Sequence, residues 1–151
     1  EGGVSMFKNI LLRHDGSELS KRGLGKAVQL AKATGATITG FHVAPDLDSS
    51  VRAYLPEAAY IPEDFKEQAR AAANDLLKEV TDACTAAGVP CSTSSVVSEF
   101  IADAILQAAK DHRCDLIAIA SHGRTGLARM MLGSETQKVL AHAEIPVLVI
   151  R

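Results

Sequence analysis

Asp115–Leu116–Ile117–Ala118–Ile119–Ala120–Ser121–His122–Gly123 is the stretch whose reading decides the fold. The residues from Leu116 to Ala120 are apolar without alternation, too few for a helix, and run straight into a polar turn, the signature of a strand buried on both faces. Such a strand needs helices above and below it, which is the condition of a parallel sheet.

Outward from this strand the same grammar repeats. Toward the C-terminus, Val139, Leu140 and Ala143 mark a helix and Pro146–Ile150 a last strand. Toward the N-terminus, Phe100, Ile101, Ala104, Ile105, Ala108 and Ala109 keep helical spacing, preceded by a strand at Cys91–Val97. A long helix runs from Pro62 to Gly88, its apolar stripe passing through Phe65, Ala69, Ala72, Ala73, Leu76, Leu77, Val80 and Cys84, with proline first and glycine last. Further strands are expected at Ile10–His14 and Ala36–Val43. The helix between them carries Leu24, Ala27, Val28 and Ala31 on one side and stops at Gly35. The stretch from Ala44 to Ile61 reads as a long irregular segment, either a functional flap or an exposed insertion. Strands alternating with helices predict an α/β domain with a parallel sheet joined by right-handed crossovers. Residues 6–151 read as a single domain, and residues 1–5 as an extension preceding a natural start at Met6.

The bulk properties narrow the function. With 151 residues, 47% hydrophobic and 23% charged, the chain can bury a core, and its formal net charge of −2 gives no broad basic footprint for nucleic acid or anionic lipid. The apolar runs are too short to span a bilayer, and no secretory signal is evident, so a cytoplasmic protein is expected. Three cysteines without a CxxC pair fit a reducing compartment, and five scattered histidines offer no metal motif, so no structural metal is expected.

Ligands of open parallel sheets sit beyond the carboxyl ends of the strands. Two segments leave such ends: Arg13–His14–Asp15–Gly16–Ser17, and Ser121–His122–Gly123–Arg124–Thr125–Gly126 running on to Gly133–Ser134. Ser134 followed by Gln137 has the spacing of a capping box, and a helix start there would offer free N–H groups and a positive dipole end to phosphate. Glycines at 123, 126 and 133 permit close backbone approach, while Arg124 and Arg129 could add charge-assisted contacts. Alternatively, Ser134 caps and the glycines only turn the chain. Asp15 could accept hydrogen bonds from a ribose or an adenine amine, or serve as a turn residue.

Several of these motifs together resemble the universal stress protein family. They are Lys8–Asn9–Ile10–Leu11–Leu12 with Asp15–Gly16–Ser17–Glu18; Phe41–His42–Val43; Ser121–His122–Gly123, nine residues, then Gly133–Ser134, similar to an ATP-binding loop G-x2-G-x9-G-[ST]; and Ile145–Pro146–Val147–Leu148–Val149. The resemblance implies a Rossmann-like five-stranded parallel sheet of order 3-2-1-4-5 with helices on both faces. It also implies a homodimer formed by the last strands, Pro146–Ile150, pairing edge to edge. Adenine and ribose contacts would fall on Asp15 and Val43, and phosphate contacts on Gly123, Gly133 and Ser134, with Arg13, Ala120, His122, Arg124 and Glu135 around them. Two positions depart from the family pattern. Ala120 stands where the loop's first glycine is usual, and Arg13 where a proline or small residue is usual. Arg13 could grip phosphate or fill the adenine space.

The implied function is an ATP-binding stress-response regulator, with Mg²⁺ as a companion of the triphosphate and an unidentified protein partner. At most, slow hydrolysis or autophosphorylation at Ser121, Thr125 or Ser134 is expected, since His122 is the only evident base. The alternative is a dimeric interaction protein that binds no nucleotide. Neither an SGGxDS loop nor an HxGH motif is present, against ATP pyrophosphatases and nucleotidylyltransferases.

Overall fold

The computed structural model describes residues 5–54, 61–122 and 131–151, leaving aside the side chains of residues 50–52. The elements follow the order β1 (Asn9–Arg13), α1 (Glu18–Thr34), β2 (Thr37–Ala44), α2 (Leu47–Tyr54), α3 (Glu63–Ala87), β3 (Cys91–Val97), α4 (Ile101–Asp111), β4 (Leu116–Ala120), α5 (Ser134–His142) and β5 (Val147–Ile150). Their strands form one sheet of order β3-β2-β1-β4-β5, every neighbouring pair parallel. This is the expected strand order.

Side-chain alternation on β1 builds both halves of the core. Ile10 and Leu12 point to the face covered by α1 and α3, where they meet Leu24, Val28, Val80 and Cys84. Leu11 points to the opposite face, against Ile105, Ile117 and Val139 from α4, β4 and α5. All five residues of β4 are buried, which explains its unbroken apolar sequence. The edge strand β3 is mostly exposed and rich in serine, which discourages its unpaired edge from recruiting other chains. Burial raises the thiol of Cys84 to about 12 and that of Cys114 to about 11, so both behave as small core residues.

Local chemistry sets the ends. Ser17 Oγ accepts the Ser20 N–H at 3.1 Å and starts α1, while Gly35, at φ 73°, ends it in the left-handed conformation. Pro62 and Gly88 bracket α3 as its sequence predicts. The α3 helix approaches β2 closely because residue 40 is glycine: a Cβ there would lie 2.8 Å from Val80 Cγ1.

The expected irregular stretch from Ala44 to Ile61 contains a helix, α2. Asp46 starts it, accepting from the Ser49 N–H at 3.2 Å and the Ser49 hydroxyl at 2.8 Å. Asp48 in its first turn pairs with Lys66 of α3 at 3.3 Å. Two aspartates and two serines look like a loop when read by composition, but here Asp46 and Ser49 form a helix start.

Candidate functional site

Strand order reverses between β1 and β4, so the chains leaving their carboxyl ends diverge and open a crevice. Its volume is about 460 Å³, within the range of small-molecule sites. One wall is the exit of β1, carrying Arg13 and Asp15; His42 and Val43 come from the end of β2. The opposite wall is His122 after β4 with Gly133, Ser134 and Glu135 at the start of α5. The structure thus brings together seven of the ten residues singled out in sequence. Gly123 and Arg124 lie outside the described residues. Ala120 does not line the crevice: it is buried at the end of β4, its carbonyl accepting the Thr136 hydroxyl at 2.9 Å.

Asp15 has a turn role. Its Oδ1 accepts the Ser17 N–H at 2.9 Å across Gly16, whose φ of 80° makes the bend. Its Oδ2 stands 3.3 Å from Arg13 Nη1. Burial alone would raise this carboxyl, but the Ser17 hydrogen bonds, the Arg13 guanidinium and Ser20 outweigh it and hold the group below its ordinary 3.8. Arg13 itself is largely buried, and its Nε has no hydrogen-bond partner among the described residues. A buried donor left unpaired costs roughly 1–3 kcal/mol.

The opposite wall is tightly built. The Gly133 N–H donates to the Ser121 carbonyl at 2.7 Å. A Cβ on Gly133 would lie 3.2 Å from His122 Cα, a tight contact that glycine avoids, while its φ of −60° needs no special freedom. The expected capping box is absent. Gly133 is the cap residue, Ser134 is the first helical residue, and Gln137 donates through Nε2 to the Leu132 carbonyl at 2.8 Å. The helix therefore begins one residue earlier than the Ser–Gln spacing suggests. The consequence favours an anion: the N–H groups of Ser134, Glu135 and Thr136 open the helix with no carbonyl behind them.

Glu135 lies in the wall, yet its carboxylate is committed elsewhere. Oε2 accepts the Ala102 N–H at 3.0 Å at the start of α4, and Oε1 lies 3.3 Å from Lys138 Nζ. Ser121 is buried with its hydroxyl 3.3 Å from His122 Nδ1, which leaves Ser134 as the better exposed of the two serines.

Two contributors were missed in sequence. His42 lines the crevice and donates from Nδ1 to the His14 carbonyl at 3.0 Å, since a carbonyl only accepts. That tautomer leaves Nε2 without a proton when the ring is neutral. Burial is the main influence that pushes this imidazole below its ordinary 6.5. The second contributor is α3, whose Ala69, Ala72, Ala73 and Leu76 form an apolar side of the crevice. Their helical spacing reads as core, and only Ala73 of the four is buried. The run of alanines where core helices carry larger residues was the available signal.

The sequence profile described as the universal stress protein family matches residues 6–151. A universal stress protein of Thermus aquaticus is 36% identical over 147 residues, covering 97% of this chain and all of the relative. Among solved structures, the universal stress protein UspA from Lactobacillus plantarum superposes with a TM-score of 0.75 at 25% identity, over 95% of this chain and 97% of that one. A universal stress protein family member from Arabidopsis thaliana gives 0.67 at 22% identity, over 95% and 90%. The fold defines an α/β protein of the Rossmann-like class. The chain belongs to the universal stress protein family.

Proposed function

We propose that this protein is an adenine-nucleotide-binding regulator of the stress response, with ATP as its ligand and Mg²⁺ as the triphosphate's companion. The observation that carries the reading is the convergence, at the β1/β4 reversal, of a carboxylate, an apolar wall and a helix start with free N–H groups. In this reading Val43 and the α3 alanines pack against adenine, and Asp15 accepts from the ribose. The Gly133–Ser134 backbone receives phosphate, joined by Gly123 and Arg124 of the preceding segment. Among solved structures with this fold, the Arabidopsis protein has AMP bound, another universal stress protein is in complex with cAMP, and one from Archaeoglobus fulgidus is in complex with dAMP. Their identities to this chain of 22%, 23% and 20% carry the fold alone, so the ligand argument rests on the crevice.

The protein acts as a cytoplasmic homodimer in this proposal. β5 has β4 on one side only among the described strands, and Leu148 on it is an exposed apolar residue. With slow chemistry at most, nucleotide binding would alter the surface offered to a partner protein.

The test is calorimetric titration of the purified protein with ATP, with and without Mg²⁺. Micromolar binding that is lost in Asp15→Ala and in Gly133→Val supports the crevice. An absence of binding by protein freed of carried-over nucleotide sinks the reading and leaves the dimeric interaction protein.

A further inference from the structure

Arg13 ends β1 on the face shared with α4 and α5 and lines the crevice. Its contact with Asp15 is loose: 3.3 Å from Nη1 to Oδ2, where charge-assisted pairs of this type close to about 2.7–2.9 Å. Its Nε is buried without a partner among the described residues. The guanidinium is therefore poorly satisfied where it rests. Asp15, by contrast, divides its two oxygens. Oδ1 is fixed by the Ser17 N–H of the turn, and Oδ2 is the oxygen that stands 3.3 Å from the Arg13 guanidinium. A ribose hydroxyl that sought Asp15 would have to use the oxygen that Arg13 now occupies.

We propose that Arg13 is an exchangeable partner that makes binding at this crevice depend on a phosphate: the ligand's phosphate draws the guanidinium off Asp15 Oδ2, and the freed oxygen then accepts from the ribose. The inference rests on the adenine-nucleotide reading of the site. A phosphate offers the planar guanidinium a two-point acceptor and can satisfy the Nε edge that has none at rest. A nucleoside has no group that can replace the carboxylate, so it meets Asp15 still engaged. The two departures possible for Arg13, holding phosphate and obstructing the nucleoside, become two positions of one side chain. The ligand class selected is nucleoside phosphates over nucleosides.

The experiment compares AMP with adenosine, by calorimetry on the wild type and on Arg13→Gln. In the wild type AMP binds at least roughly ten-fold more tightly than adenosine, the size of one charge-assisted contact. In Arg13→Gln the two affinities move in opposite directions, AMP weaker and adenosine stronger, and the preference collapses. A preference retained in the variant overturns the proposal, as do two affinities that rise or fall together. Should Arg13→Gln fail to fold, the Arg13 Nε–H resonance of the wild type decides. It shifts on adding AMP and stays in place with adenosine, and an equal response to both overturns the exchange. A wild type that binds AMP without preference defeats this inference alone, whereas one that binds neither AMP nor ATP defeats the nucleotide reading as well.

Discussion

Asp15, Arg13 and His42 form one electrostatic unit at the crevice, and their protonation can be read from their neighbours. His42 sits beside the Arg13 guanidinium and behind the β1 exit, where burial disfavours its cation; the His14 carbonyl and Asp15 oppose that only in part. The ring should titrate below 6.5 in the folded protein, as followed by its imidazole carbon-bound proton resonances across pH. The sign for stability follows. Because the unfolded chain takes up this proton first as the solution is acidified, the contribution of His42 is present above pH 6.5 and is lost as pH falls toward its folded value. Replacing His42 with Gln should remove that part of the pH dependence of unfolding, and a pH profile unchanged by the substitution would refute the assignment.

At the level of elements, α4 and α5 are joined by a side chain rather than by packing alone. Neither has a side-chain hydrogen bond from its own N-cap residue, and α4 receives one instead from Glu135, whose Oε2 accepts the Ala102 N–H. A negative charge at that position also complements the α4 dipole. Glu135→Ala should therefore destabilise the protein by about 1 kcal/mol, the usual worth of a lost cap, in denaturant unfolding. Lys138→Ala, which removes only an exposed ion pair at 3.3 Å, should cost little. Equal losses from the two substitutions would mean that the carboxylate acts through Lys138 and not through Ala102.

For the whole molecule the open question is the free edge of β5. Leu148 on β5 is 37% exposed, and a strand edge left unpaired invites another strand. If two copies pair there, sedimentation should give a dimer, and Leu148→Glu should shift it to monomer at micromolar concentration. A wild-type monomer would remove the edge from the proposal. A dimer indifferent to Leu148→Glu would place the interface elsewhere.

The five strands were legible because each is short, apolar or β-branched, and bounded by turn residues, and the caps at Gly35, Pro62 and Gly88 are local chemistry. The neighbourhood of Asp15 with Gly133 was legible as well, since both follow strands of one parallel sheet and such exits share an end. Three things were not legible. The helix α2 forms from residues whose composition reads as a loop, because Asp46 and Ser49 make a local helix start. The cap of α5 is Gly133 and not Ser134, at a point where the chain packs so closely on His122 that a Cβ would lie 3.2 Å from its Cα. The α3 alanines became a wall of the crevice because only the far half of that helix lies over the sheet, ending in the buried Val80 and Cys84. Sequence periodicity states which residues share a face. What that face meets, whether sheet, crevice or solvent, is set by the relative placement of elements.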